Sequence, residues 1–462
     1  MKLSSLNPFA SLANGREVWA WGMYDLANQS FTLLINTLLF PVFFREIVVG
    51  ADKPALGDRL WSGMVAASML IVVIVSPFIG ALADARGVRK KMLIGTGVVC
   101  ATATCALGLL GGGAAWVAFA VYMLANIAFQ LGENFLASFL PFVATSRNIG
   151  KVSAIGWTMG YVGALALLAI ALAAMALFGW QETSAWRPLI VFAGLWFLLG
   201  IIAPMIVLRE PPAAEVAKKR GAVREAITRV RASVRDAGKY SQLVRFLIAF
   251  FIYAMGVQTV IFFSAVIAKD VVFADDANAN MKLVAFIAQL TITAGIAAVF
   301  AGVVQDRIGA RMMALVFLGV WMASTLGFAA FSLMHDPPEW IFWIIGNGVG
   351  FGLGGIGTAS RSLVGRFTPA HKTAEFFGLW GMVFKGAGVV GVFTFGQVRA
   401  MGGGTEPNDF AALLLLAGFF VAGFFGTLTV RETRGVRAAK RSEREWASAM
   451  EAAAEAQVRG RG

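Results

Sequence analysis

The sequence has few charged residues for its length. Only 14% of its 462 residues are Asp, Glu, Lys or Arg, whereas 58% are hydrophobic and the mean hydropathy is +0.74. A soluble domain carries about a quarter charged residues, so this composition excludes an ordinary water-soluble fold. Apolar surface on this scale is typical of a chain whose solvent is the lipid bilayer.

Cysteine and histidine are scarce, with two of each. Cys100 and Cys105 are five residues apart in one predicted helix, which turns their side chains apart and separates them by about 7.5 Å along the axis. They therefore cannot form a disulfide with each other. His335 and His371 lie in predicted loops without metal-like partners. No zinc motif, P-loop or catalytic triad is recognisable, so we expect no enzyme activity and no cofactor or metal.

Hydrophobic stretches long enough to cross a bilayer recur along the whole chain. They predict an all-α integral membrane protein with twelve transmembrane helices in two pseudo-symmetric six-helix bundles. The predicted spans are 18–42, 60–83, 90–111, 114–140, 153–178, 187–208, 243–268, 282–304, 311–333, 338–364, 375–397 and 409–430.

Two polar segments interrupt this pattern and set the predicted domain boundaries. The predicted units are an N-terminal bundle at 1–208, a basic linker at 209–242, a C-terminal bundle at 243–430 and a tail at 431–462. The Ala, Glu and Arg content of the tail predicts a frayed surface helix.

Lys and Arg are distributed unequally between the two ends of the predicted spans. Thirty-one lie on the side of the termini and linker and seven on the other side, and the ratio is still 13 to 7 without the linker and tail. The positive-inside rule then predicts cytoplasmic termini, and we expect a multi-pass protein of the cell (inner) membrane. Contact with anionic lipid headgroups accounts for the net charge of +13, so nucleic acid is not an expected partner.

A charged phrase occurs twice, each time between the second and third spans of one bundle. Its two copies, 222 residues apart, contain Gly80, Asp84, Gly87 and Arg89, and Gly302, Asp306, Gly309 and Arg311. This indicates an internal duplication of the kind found in transporters. In a gate, glycines allow helices to approach closely, and Asp can pair with Arg or with a helix N-terminus. The alternative is a tight basic turn that only obeys the positive-inside rule.

The phrase resembles the G-x-x-x-D-x-x-G-x-[RK] signature of the major facilitator superfamily, in which it latches the cytoplasmic gate. Other stretches resemble the permeases related to autophagy-linked vacuolar amino-acid effluxers. These are WAWGMYDLANQSF from Trp19, VSAIGWTMGYVG from Val152, GVQTV from Gly256, SRSLVGRFTP from Ser360 and AEFFGLWGMVFKGAG from Ala374. The resemblance implies a secondary transporter that moves a small polar solute, such as an amino acid, by alternating access and in the direction of efflux. We expect it to act as a monomer and to use protons if it is ion-coupled. The other function that stays open is a sensor or scaffold of the same fold that binds a ligand without net transport.

Polar side chains within the spans are the candidate substrate or coupling residues, because such groups are costly in a bilayer. In the first and fourth spans they recur at helical spacing and form one stripe on each helix, and the facilitator resemblance places the first, fourth, seventh and tenth spans around the cavity. The candidates are Asp25, Asn28, Asn36, Gln130, Glu133, Gln258, Asn347 and Lys385.

Lys385 lies about 15 Å into the eleventh span. It either contacts an anionic group of the substrate or belongs to a coupling network, or else it forms a structural ion pair with Asp25 or Glu133. Arg361, at the predicted cytoplasmic end of the tenth span, is a candidate gating residue.

Overall fold

Twelve long apolar helices make up most of the molecule. The structure is a computed structural model that describes residues 9, 12, 14–145, 148–211, 222–274, 276–335, 337–402 and 407–459, and these residues contain no strand. The spans are Gly15–Gly50, Pro54–Arg86, Arg89–Gly108, Ala115–Val143, Lys151–Phe178, Thr183–Val207, Ser241–Val271, Ala279–Ile308, Ala310–Phe331, Glu339–Phe367, Glu375–Gly402 and Asp409–Leu428. Each of the twelve predicted spans overlaps one of these helices, so the predicted fold class is confirmed.

The spans pack in two groups of six, which we call the N-half and the C-half. In the N-half, the first span packs on the fifth and sixth, and the third packs on the fourth and sixth. In the C-half, the seventh span packs on the eleventh and twelfth, and the tenth packs on the eighth and ninth. The halves meet where the second span contacts the eleventh and the fifth contacts the eighth.

Small residues bring the second and eleventh spans close together. A Cβ atom at Gly396 would overlap Ser62, and one at Gly388 would lie 2.5 Å from the sulfur of Met69. Both glycines are on the eleventh span and both contacts are with the second. Helices in lipid rely on such small residues for close packing, because lipid tails provide no hydrophobic drive between them.

The first span is not a regular α-helix. It starts as an α-helix at Gly15–Gln29, continues as a π-helix at Ser30–Leu38, and has a second π-helical segment at Phe44–Gly50. Since π-helical turns are rare and frequent at functional sites, the change of geometry directly after Asn28 and Gln29 marks this depth of the bundle for attention.

Two further helices lie outside the spans, at the end of the bundle that carries the linker and tail, which we call the proximal end. The linker helix spans Ala222–Ala237 and the tail helix spans Glu432–Arg459. Our sequence analysis predicted the tail helix but treated the linker only as a polar segment. The linker helix has a strongly amphipathic sequence, AVREAITRVRASVRDA, and that periodicity was the signal available for it.

The linker, the loop before the eleventh span and the tail helix are fastened together. Lys372 Nζ lies 2.8 Å from Asp236 Oδ2, and Tyr240 and Ser442 share a hydrogen bond of 2.7 Å between their hydroxyls. Hydrogen bonds from Lys372 and Lys239 lower the pKa of Asp236 to about 2, so this carboxylate is charged at neutral pH and the contact between linker helix and C-half is an ion pair.

The proximal end should face the cytoplasm. We expect Lys239→Cys, on the linker, and Asp52→Cys, at the opposite or distal end, to react with a membrane-impermeant maleimide from opposite sides of the membrane. Both side chains are well exposed, at 68% and 72%. The measurement is labelling of intact and permeabilised cells that express each variant in a Cys100→Ala, Cys105→Ala protein.

In intact cells only Asp52→Cys should be labelled, and Lys239→Cys should require permeabilisation. The cysteine-free protein is the control. Labelling of both positions from the same side would contradict the arrangement of the twelve spans.

Candidate functional site

Three of the predicted polar residues meet between the first and fourth spans of the N-half. The Asn28 amide donates to Glu133 Oε1, and Gln29 Nε2 donates to Asn28 Oδ1 at 3.3 Å. Asp25 interacts with the same Asn28 amide. It also faces Gly160 on the fifth span, where a Cβ would lie 3.5 Å from Asp25 Oδ2. Two carboxylates therefore share one amide at mid-depth in the bundle.

Lys385 reaches this group from the C-half. Its ammonium donates to Asn134 Oδ1 at 2.8 Å and to the Gln130 carbonyl at 3.2 Å, both on the fourth span. It makes no ion pair within 4.0 Å of any described carboxylate, although Glu133 is close enough to act on it electrostatically. The structural ion pair with Asp25 or Glu133 that the sequence left open is thus not formed in this conformation.

The accessibility of these side chains shows that they border open space. Asp25, Glu133, Gln130 and Lys385 are all partly buried, and Asn134 is exposed. Irregular or charged groups at membrane depth are tolerated where they line a water-filled cavity or are enclosed by protein. We call Asp25, Asn28, Gln130, Glu133 and Lys385 the central polar cluster.

Asn36, predicted to contact substrate, instead has a structural place in this conformation. It accepts a hydrogen bond of 2.9 Å from the Tyr122 hydroxyl, and its amide lies 3.5 Å from Asn126 Oδ1. Asn126 in turn donates to Ser68 Oγ at 2.7 Å. Because Asn36 is only 2% exposed, the chain of bonds joins the first, second and fourth spans and leaves no surface for a ligand.

Two other predicted residues also lie outside the central polar cluster. Gln258, on the seventh span, is buried and donates to the Phe384 carbonyl at 3.4 Å. It therefore packs against the helix that carries Lys385 without reaching the carboxylates. Asn347 is exposed and donates to the Trp343 carbonyl of its own helix at 3.1 Å. Sequence spacing identified polar positions correctly but could not give the rotation of each helix.

The first copy of the repeated phrase is closed by an internal ion pair. Asp84 Oδ1 lies 2.6 Å from Arg89 Nε, and Gly87 between them ends the second span with a left-handed φ of 62°. A side chain at that φ would strain the backbone. The Glu210 carboxylate, just after the sixth span, accepts from the Lys90 amide at 2.9 Å and so caps the start of the third span.

The second copy is fastened more extensively. Glu432 accepts from the Arg311 amide at 2.9 Å and from the Ala310 amide at 3.3 Å, and it pairs with Arg366 at 2.7 Å. Arg366 also lies 3.1 Å from Asp306, while the Arg311 side chain donates to the Leu428 carbonyl at 2.8 Å. Gly309 has a φ of 91°, so both copies need glycine at the second conserved position of the phrase.

Glu210 and Glu432 are functional candidates that our sequence analysis missed. They are separated by the same 222 residues as the two phrases, and each follows an arginine, in Arg209–Glu210 and Arg431–Glu432. This repeated dipeptide was the signal available for them. Each carboxylate satisfies backbone N–H groups that a helix N-terminus leaves without partners.

Gly80 and Gly302 do not have the packing role that we expected. A Cβ built at either position meets nothing within 4 Å, so neither glycine is required for close helix approach in this conformation. Arg361, by contrast, does join the two halves. Its guanidinium lies 5.7 Å from the ring centre of Trp157 on the fifth span, within the range of a cation–π contact.

No metal centre accompanies these sites in the ranges that the structure describes, because no three His, Cys, Asp or Glu side chains converge there. The chemistry available to the central polar cluster is therefore charge pairing, hydrogen bonding and proton exchange by its own side chains.

Comparison with known proteins relates most of the chain to one family. The profile of the family described as vacuole effluxer Atg22-like matches residues 63–440. The chain is 26% identical over 405 residues to YxiO of Bacillus subtilis, an uncharacterized MFS-type transporter, with 86% of this chain and 91% of YxiO covered. It is 25% identical over 388 residues to autophagy-related protein 22 of Pichia angusta, with 72% and 68% covered.

Solved structures show the same fold at low sequence identity. The nucleoside transporter NupG superposes with a TM-score of 0.63 at 14% identity, covering 90% of this chain and 98% of NupG. A bacterial homologue of the lysosomal transporter Spinster, in an inward-facing and occupied conformation, superposes with a TM-score of 0.61 at 13% identity, covering 94% and 97%. A D-xylose–proton symporter gives 0.64 at 14% identity, covering 91% and 98%. At these identities the likeness establishes the facilitator fold alone.

The Glu432 contacts should contribute measurably to stability. We expect Glu432→Gln to lower the free energy of unfolding by about 1.5–3 kcal/mol, because hydrogen bonds to a charged group contribute on that scale. Glu210→Gln should have a smaller effect, since Glu210 is exposed and caps only the Lys90 amide. The measurement is the melting temperature of each purified variant in detergent.

Glu445→Gln provides the matched control, because Glu445 sits in an exposed pair with Arg441 on the tail helix. Such surface pairs contribute little. Equal melting temperatures for Glu432→Gln and Glu445→Gln would show that Glu432 does not fasten the second phrase.

Proposed function

The chain belongs to the family of vacuole effluxer Atg22-like proteins within the major facilitator superfamily, and from this we propose that it moves a small polar solute across the membrane by alternating access. One observation carries the proposal. The ammonium of Lys385, from the C-half, reaches the fourth span of the N-half next to the carboxylates of Asp25 and Glu133. A solute bound here would touch both halves.

This placement links binding to motion. A ligand shifts a conformational equilibrium only when its contacts differ between the states. Because the central polar cluster takes its groups from both halves, any rocking of one half against the other changes the contacts that a bound solute makes. Binding sites at the interface of two repeats, near mid-membrane, are characteristic of secondary transporters.

The charges favour a solute that carries both signs. Lys385 offers an ammonium donor to a carboxylate, while Asp25 and Glu133 offer acceptors to an amine. An amino acid or related metabolite satisfies both. The hydrogen bonds that Lys385 now makes to Asn134 and the Gln130 carbonyl are neutral-acceptor bonds, and a carboxylate would replace them with a stronger charge-assisted bond.

We propose protons as the coupling ion and efflux as the direction. Partly buried carboxylates within spans are the usual elements of proton relays, and Asp25 and Glu133 are two such groups on neighbouring helices. The description of the matched family as effluxers supports the direction. The excess of Lys and Arg at the proximal end supports a cytoplasmic placement of both termini in the cell membrane.

The units predicted from the sequence have matching roles in this proposal. The bundles at 1–208 and 243–430 are the moving halves, and the segments at 209–242 and 431–462 hold their proximal ends. The two repeated phrases and Arg361 act as the proximal gate. We propose that the monomer is the working unit, since one chain supplies both halves of the cluster.

Lys385 should be required for binding. A melting-temperature screen of the purified protein against a library of small metabolites identifies stabilising solutes, and we expect amino acids or close relatives among them. Lys385→Ala should then weaken the apparent affinity at least about tenfold, because a hydrogen bond to a charged group contributes about 1.5–3 kcal/mol.

Asn347→Ala is the matched control. Asn347 was predicted from the sequence on the same grounds, but the structure places its amide against its own helix. It should bind as the unchanged protein does. A Lys385→Ala protein that is folded and retains full affinity would remove the central polar cluster as the substrate site.

A further inference from the structure

A second cluster of charges lies at the distal end of the bundle, and our sequence analysis counted its arginines only as loop charges. We call it the distal clamp. It consists of Arg45 at the end of the first span, Asp58 at the start of the second, Asp270 at the end of the seventh, Arg399 in the eleventh and Asp409 at the start of the twelfth. The first two residues belong to the N-half and the last three to the C-half.

Arg399 is the centre of the distal clamp. Its three guanidinium nitrogens lie 2.7 Å from Asp58, 2.6 Å from Asp270 and 2.6 Å from Asp409. These are lengths of strong charge-assisted hydrogen bonds. One of the three acids is on the opposite half, so Arg399 ties the eleventh span to the second.

Arg45 makes the reciprocal connection. Its NH2 group lies 2.8 Å from Asp270 of the C-half, and its Nε lies 2.7 Å from Asp58 of its own half in an ion-pair contact without directed hydrogen-bond geometry. Each arginine therefore contacts one acid from each half. Separation of the halves at this end would break the bonds from Arg399 to Asp58 and from Arg45 to Asp270.

The distal clamp is closed off from water. The side chains of Asp58 and Arg399 are 0% exposed and that of Arg45 is 5% exposed. A buried charge is tolerated only while its partners are in place, and removal of one partner is strongly unfavourable for the charge that remains. Opening of the distal end would admit water and relieve that cost, so loss of one partner favours opening.

Direct ion pairs between the two halves are confined to this end in the described parts of the chain. Besides the two arginine connections, Lys269 pairs with Glu46 at 2.8 Å, again from the seventh span to the first. At the proximal end the described pairs stay within one half, as for Asp84 with Arg89 and Asp306 with Arg366, or involve the linker and tail helices. The halves are thus locked by charge at one end only.

We propose that the distal clamp is the gate that closes the central polar cluster from the distal side, and that separation of Arg399 from Asp58 is the step that opens it. The proposal rests on the proposed alternating-access function. It assigns the conformational energy of the closed state to five residues that do not contact the substrate.

The test measures distances rather than transport. Spin labels at Asp52→Cys and Met401→Cys report the distal separation of the halves, and labels at Arg86→Cys and Arg307→Cys report the proximal separation. All four positions are exposed. Each pair is placed in the cysteine-free protein in lipid nanodiscs without substrate, and pulsed electron-electron resonance gives the distance distributions with and without Asp58→Asn.

Asp58→Asn should raise the ratio of distal-open to distal-closed molecules at least about tenfold, equivalent to about 1.4 kcal/mol, with a shorter proximal distance in the same molecules. Lys282→Gln is the matched control, since Lys282 pairs at the same end with Asp276 and Glu339 of its own half only. It should leave both distributions unchanged.

Unchanged distributions in folded Asp58→Asn, with only a lower melting temperature, would overturn the proposal and show that the distal clamp is a support of the fold. If Asp58→Asn does not fold, Glu46→Gln and Arg399→Lys decide the question by the same criterion, and closed distributions in both overturn it. Distances that shift in a protein unable to transport would sustain the distal clamp and defeat the proposed function, so the two can fail separately.

Discussion

The cost of keeping a charge away from water governs where this chain places its ionisable groups. Arg399 and Asp58 are fully buried because several well-placed partners surround them, and those partners come from both halves. Asp25, Glu133 and Lys385 are only partly buried and share amide and carbonyl partners instead. The first arrangement suits a contact that is held until it is broken as a unit. The second leaves charge available for a ligand, and the difference separates a gate from a binding site within one bundle.

The duplication gives the two halves the same design but different strengths. A glutamate 222 residues from its counterpart caps the helix after each repeated phrase. In the C-half this glutamate also holds Arg366, which reaches Asp306, whereas in the N-half Asp84 is paired within its own phrase. The C-half is further joined to the linker helix through Lys372 and Asp236. The proximal end of the C-half is therefore the more rigid anchor, and the N-half has fewer attachments to it there.

Sequence reasoning succeeded where the signal is local. Long apolar runs and the matched phrases predicted all twelve spans and the repeat, because hydrophobic length and turn chemistry act over neighbouring residues. It also identified Asp25, Asn28, Glu133 and Lys385 as costly groups in spans. It could not place Asn36 inside a closed hydrogen-bond chain or Asn347 against its own helix, since helix rotation depends on packing between distant segments. The distal clamp was out of reach for the same reason, as Arg45 and Arg399 are far apart in sequence and each looks like a loop charge. Glu210 and Glu432 were accessible from the repeat offset alone.

The central claim is that solute bound at the central polar cluster is carried across the membrane by exchange between two open states. Counterflow in proteoliposomes tests it most directly. Vesicles loaded with an unlabelled solute from the stabilisation screen are diluted into a trace of the labelled solute. We predict a transient accumulation of label above its equilibrium level, absent from vesicles that contain Lys385→Ala. Saturable binding of the label with no accumulation would contradict the account and identify the protein as a ligand-binding sensor of the same fold.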